Sequence, residues 1–163
     1  MRHPYSGFPY STICFFIAVF FAIFPRMDFA CAEMESQDVV VIVNYNLLNE
    51  NSLLLLEMTQ KELKDIYLGV KEKERGVTLL PADQKDKKIF GEFLSQFVGM
   101  SAASYKSHWV KKLFSLGAAV PKVVDGPIEM IKYVSENAGA IGYVWKSDIK
   151  GNERGIRAVK ISP

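Results

Sequence analysis

Few side chains in this sequence are of the kind that makes or breaks bonds. Downstream of residue 32 there is one histidine, His108, and no cysteine; Cys14 and Cys31 both lie upstream. A single imidazole cannot hold a metal, and His108, beside Trp109 in a helical stretch, reads as a partly exposed helix residue. No G-x-S-x-G, H-E-x-x-H, P-loop or strand-borne G-x-G-x-x-G pattern occurs. Gly139 and Gly142 read as a helix end and a tight strand entry. Carboxylate pairs such as Glu72 and Glu74 sit in the mixed-charge run 71–75 (KEKER), which reads as a solvated turn. Neither an enzyme nor a cofactor is expected. What the chain offers instead is helix starts that follow strands, where free N–H groups and the positive end of the dipole suit an oxyanion. Two are readable, at residues 83–86, with Asp83 as the cap, and at 126–129. Each brings its own carboxylate, which competes with a bound anion. Lys85, Lys87 and Lys88 at the first start either offset that charge or form ordinary solvated surface.

The elements that must position these residues alternate between strand and helix. Residues 37–44 (QDVVVIVN) form an apolar, β-branched run without alternation, as expected of a strand buried on both faces. Thr59 with Glu62 makes a capping box, opening a helix that turns Leu63, Ile66 and Tyr67 inward and stops at Gly69. Residues 77–81 read as a second strand. The helix after it carries Ile89, Phe90, Phe93, Leu94, Phe97 and Val98 at helical spacing, up to Gly99. Ser101 caps another, with Tyr105, Trp109, Leu113 and Phe114 inward and an end near Gly117. Val123 and Val124 form a short strand. Gly126-Pro127 starts a helix with proline in its first turn, turning Ile128, Ile131 and Val134 inward. Ala140–Trp145 is a buried strand, and 156–161 an alternating one. Such alternation predicts an α/β fold of three layers, with a largely parallel sheet flanked by helices.

Composition bounds the rest. Of the 163 residues, 1–32 hold seven of the 11 Phe, two of the 20 Lys+Arg and one of the 18 Asp+Glu. An apolar run of 12 residues (ICFFIAVFFAIF) is too short for a membrane span, which needs roughly 20, and suits the core of a signal peptide. Ala30-Cys31-Ala32 places small residues where cleavage after Ala32 needs them. Asp28 stands where a lipid-attachment box needs an aliphatic residue. The expected organisation is a signal peptide over 1–32 and one exported, periplasmic domain over 33–163. That domain carries a net charge of +1, which argues against an electrostatically driven nucleic-acid binder.

Four segments come in an order typical of one family: TQKELKDIYLG (59–69), PADQ (81–84), FLSQFVGMSAASYKSHW (93–109) and AGAIGYV (138–144). On these the chain resembles small, single-domain relatives of the substrate-binding components of phosphate ABC transporters, the type II periplasmic-binding-protein class. The resemblance implies about one lobe of such a protein. It implies phosphate or another oxyanion as ligand, with contacts from the loop after the first strand (Asn44, Tyr45) and from the helix start (Asp83, Gln84), to which Lys87 adds charge. It also implies a membrane transporter or sensor as partner. Two departures bear on the ligand: the Ser-Gly-Thr helix start of phosphate binders is here Gln84-Lys85-Asp86-Lys87, and the family's two lobes are represented by about one. The alternative expectation is therefore a ligand-free periplasmic interaction module serving a membrane sensor or envelope complex.

Overall fold

The computed structural model describes residues 38–44, 56–74, 76–151 and 153–163; the leader and the stretch 45–55, with Tyr45, lie outside them. In chain order come β1 (Val39–Asn44), β2 (Glu57–Thr59), α1 (Gln60–Tyr67), β3 (Lys73–Glu74), β4 (Val77–Thr78) and β5 (Leu80–Gln84). Then follow α2 (Lys87–Phe93), prolonged by a wider π-turn over Leu94–Val98, and α3 (Ala102–Leu116). The chain closes with β6 (Lys122–Val124), α4 (Pro127–Glu136), β7 (Ala140–Trp145), β8 (Ile156–Ala158) and β9 (Lys160–Ser162). Local chemistry explains most boundaries. The Thr59 hydroxyl accepts from the Glu62 amide while the Glu62 carboxylate accepts from the Thr59 amide, so α1 opens on the expected reciprocal cap. Ser101 accepts from the Ser104 amide at the start of α3, and Gly117, at φ 60°, ends it.

Five strands form the main sheet in the order β6-β5-β7-β1-β8. β5 runs parallel to β6 and to β7, while β1 runs antiparallel to both β7 and β8. Four strands therefore share a direction and β1 alone opposes them, so the largely parallel sheet holds with its double-buried strand reversed. Alternate side chains of the central strands feed two cores. Val41, Val43, Ile141 and Tyr143 meet α1, α2 and α3, whereas Ile42, Ala140 and Val144 meet Met130 and Val134 of α4. Three layers result.

Several expectations need correction in detail. The cap of α2 is Asp86, whose carboxylate accepts from the Lys88 amide; Asp83 is a strand residue, because β5 stays paired with β6 as far as Gln84. Within the run expected as a solvated turn, Lys73–Glu74 pairs against Val77–Thr78, so the strand expected at 77–81 breaks into β4 and β5. The strand expected at 156–161 likewise divides into β8 and β9, the second pairing with β2. Leu113 and Phe114 are exposed, Phe114 by 83%, since nothing among the described residues covers the last turn of α3. On α4 the buried stripe is Met130 and Val134, and Ile128 faces outward. Gly142 on β7 sets that face: a Cβ there would lie 2.3 Å from Met130 Sδ, so its absence admits the methionine against the sheet.

A second glycine is fixed by close approach. Gly139 has φ 74°, and a Cβ on it would lie 2.0 Å from the Thr78 carbonyl oxygen. Gly117 has a similar φ of 60° with nothing within 4 Å. Gly117→Ala should therefore show the left-handed penalty alone, about 1 kcal/mol, whereas Gly139→Ala should lose about 3 kcal/mol or more because backbone must move as well. Urea unfolding of both variants measures the difference, and equal losses would contradict the close approach.

Candidate functional site

β5 and β6 end side by side, and at their carboxyl ends the chain turns into α2 and α4. In an α/β sheet this is where ligands bind. A depression of about 500 Å³ opens here. Its floor is Asp83 and Gln84, its aromatic wall is Phe90, Tyr105 and Trp109, and Val110, Val120, Pro121 and Val123 form its mouth. Lys85, Lys87 and Lys106 also border it.

Asp83 is 6% exposed. Tyr105 Oη donates to Asp83 Oδ2 at 3.1 Å and Tyr143 Oη stands 3.3 Å from Oδ1. Burial pushes its carboxyl up to about 7, against the two hydroxyls, which favour the charged form. Both tyrosines are raised in turn, first by burial and then by the Asp83 charge. Gln84 is tied down twice: its amide donates to Tyr143 Oη at 3.1 Å, and Nε2 donates to the Tyr143 carbonyl at 2.7 Å. Trp109 Nε1 donates to the Tyr67 carbonyl at 3.2 Å. Lys85 pairs with Asp125, which raises its ammonium above the ordinary value. Lys87 and Lys106 make no ion pair among the described residues. Lys88 turns away from the depression, its ammonium 5.5 Å from the Trp145 ring centroid.

The residues expected to form the site therefore divide. Asp83, Gln84 and Lys87 come together. Asn44 does not join them: β1 runs against its neighbours, so its last residue lies at the end of the sheet where β5 and β7 begin. There Asn44 Nδ2 donates to the carbonyls of Val134 (2.7 Å) and Ser135 (2.9 Å), tying β1 to the last turn of α4. Tyr45 lies outside the described residues. His108 is half-buried, with Nε2 3.0 Å from the Leu68 carbonyl oxygen, a structural contact. Phe90, Tyr105 and Trp109 were legible as inward-facing helix residues; that they also wall a cavity follows from the open space between α2, α3 and β6, which helical spacing does not encode. The start of α2 is capped by the chain's own carboxylate, Asp86 on the Lys88 amide, whereas α4 has no side-chain cap, Glu129 accepting instead from the amide of Asp125 just before the cap at 3.0 Å. Among the described residues no cluster of His, Cys, Asp and Glu could hold a metal, and no helix is long and apolar enough to cross a membrane.

A sheet of this order with a depression at its carboxyl ends is the fold of periplasmic binding proteins, and the chain is structurally similar to solved members of that class. A structure from Clostridium perfringens, assigned as a phosphate ABC transporter substrate-binding protein and solved with bound phosphate, matches with TM-score 0.55 and 20% identity over 76% of this chain and 44% of its own. PstS from Borrelia burgdorferi matches with TM-score 0.55 and 12% identity, over 76% of this chain and 47% of its own. A candidate phosphate binding protein from Planctomyces limnophilus matches with TM-score 0.51 and 16% identity, over 76% and 41%. At such identities the likeness shows the fold, and the chain spans less than half the length of each of these proteins. No protein-family model matches the sequence, and no curated protein matches it.

The Asp83 carboxyl makes stability depend on pH. Its folded value of about 7 lies above the ordinary 3.8, so between these the folded state keeps a proton that the unfolded chain gives up. Its contribution is therefore greatest at low pH and declines as pH rises from about 4 to about 7, with a slope of at most about 1.4 kcal/mol per unit. Across that interval the wild type should lose unfolding free energy relative to Asp83→Asn as pH rises. Parallel curves would show that Asp83 is ionised throughout.

Proposed function

We propose that this chain is an exported binding module that takes a small oxyanion, phosphate or a relative of it, in the depression at the carboxyl end of β5, and presents the bound state to a membrane transporter or sensor. Export rests on the leader over 1–32, with cleavage after Ala32 and a periplasmic domain over 33–163. The observation that carries the reading is where the lysines lie. Lys87 and Lys88 occupy the first turn of α2, which holds no acidic residue after its cap. Positive charge there opposes the helix dipole by a few tenths of a kcal/mol each. Lys88 is relieved over Trp145, whereas Lys87 borders the depression together with Lys106. A local electrostatic cost that faces a cavity is a mark of binding. The reading assigns recognition, not turnover, in keeping with a fold whose solved neighbours are substrate-binding proteins.

A second reading has its own support. Asp86 already takes up an amide at the start of α2, and Glu129 brings a carboxylate to the start of α4. Leu113, Phe114 and Leu116 at the end of α3 are exposed. Both features suit a ligand-free interaction module docking on a membrane sensor or envelope complex.

A thermal-shift series with phosphate, sulfate and related anions separates the two. Anion at 100 times its Kd should add about 2.7 kcal/mol of stability, and Lys87→Glu should remove most of that gain. A flat response to every anion at millimolar concentration would overturn the receptor reading.

A further inference from the structure

The chemistry of the depression sets what kind of anion it can take. Inorganic phosphate is held by several N–H or O–H donors converging on its oxygens. Here the side-chain donors of the floor and of the rings beside it are engaged within the protein, as are the amides of Gln84, Lys85 and Lys88. Tyr105 Oη serves Asp83, the Gln84 amide and Nε2 serve Tyr143, and Trp109 Nε1 serves the Tyr67 carbonyl. The Lys85 amide donates to the Val124 carbonyl at 2.9 Å, and the Lys88 amide to its own cap. Lys87 and Lys106 bring ammonium groups to the border of the depression, which Phe90, Tyr105, Trp109 and Val110 also line. The rings meet edge to face, Phe90 on Tyr105 at 5.7 Å and Tyr105 on Trp109 at 6.5 Å between centroids. These rings are nearly covered, so the apolar area open to a ligand is chiefly that of Val110, Val120 and Val123, which offer dispersion and no hydrogen bonds. The volume of about 500 Å³ falls in the range of sites for organic molecules, roughly 300–1,000 Å³. Five-atom phosphate would leave most of it to water against apolar surface.

Resting on the reading of this depression as the binding site, we propose that its ligand is an amphipathic organic anion. Its apolar body lies on Val110, Val120 and Val123, backed by Phe90 and Trp109, and its anionic head reaches Lys87 and Lys106. Asp83 does not forbid this, because its oxygens are covered by Tyr105 and Tyr143 and its carboxyl carries a proton for part of the time near neutrality. The half-exposed Val110, Val120 and Val123 at the mouth are covered by the body of such a ligand, which accounts for apolar residues at the opening of a water-facing cavity.

Calorimetric titration of the purified protein with phenyl phosphate, inorganic phosphate and benzyl alcohol tests this, since the three separate body from head. Phenyl phosphate should bind at least tenfold more tightly than either of the others. Val110→Asp, which charges the wall, and Lys106→Glu, which reverses the head site, should each weaken it at least tenfold with an unchanged melting temperature. Val123→Asp, on β6, is the wall variant to use should Val110→Asp melt earlier than wild type. Equal affinity for phosphate and phenyl phosphate would overturn the amphipathic ligand and leave the oxyanion reading intact. Benzyl alcohol binding as tightly as phenyl phosphate, or variants without effect, would overturn the proposal by removing the charge or the site from it. Absence of binding by either phosphate compound would overturn both the proposal and the reading beneath it.

Discussion

Asp83 is a carboxyl group at the end of a strand with almost no access to water, and most of the surrounding geometry answers to that fact. Leaving a buried carboxylate without partners would cost several kcal/mol. Its partners are two tyrosines from different layers: Tyr143 from β7, beside it in the sheet, and Tyr105 from α3 above. Tyr143 in turn stacks on Phe93 of α2 with centroids 3.9 Å apart and planes 4° from parallel, and Phe93 packs against Tyr67 of α1 at 4.6 Å. Tyr67 Oη lies within 3.3 Å of the carbonyls of Ala82 and Ile141, returning the chain of contacts to β5 and β7. One polar side chain thus fixes three helices over the sheet. The same contacts engage Tyr105 Oη and both Gln84 donors on the floor of the depression.

How much of this is legible in sequence depends on whether a feature is local. The Thr59–Glu62 box, the Ser101 cap, the ends at Gly99 and Gly117 and the inward stripe of Leu63, Ile66 and Tyr67 are set by residues within one or two turns, and they stand as read. The direction of β1 is not local. Its side-chain pattern is the same whether its neighbours run with it or against it, since burial on both faces follows from layers and not from polarity. That single unreadable sign carries Asn44 to the far end of the sheet and splits the expected site. Asp83 and Asp86 pose a similar problem: either could cap a helix, and the choice is made by pairing between Gln84 and Val124, from a strand 40 residues further on. The burial of Met130 over Ile128 is decided across the interface by Gly142.

The electrostatics of the carboxyl ends are arranged so that the two turns after β5 and β6 neutralise themselves. Asp86 engages the first free amide it can reach, Glu129 engages the Asp125 amide, and the Lys85–Asp125 pair joins the turns. On the reading proposed above, positive charge comes from the flexible stems of Lys87 and Lys106, which would follow a head group without fixing its geometry. A point charge on a mobile stem selects weakly among anionic heads, whereas a rigid aromatic wall selects strongly by body shape. Discrimination in such a site moves from the oxyanion to whatever is attached to it.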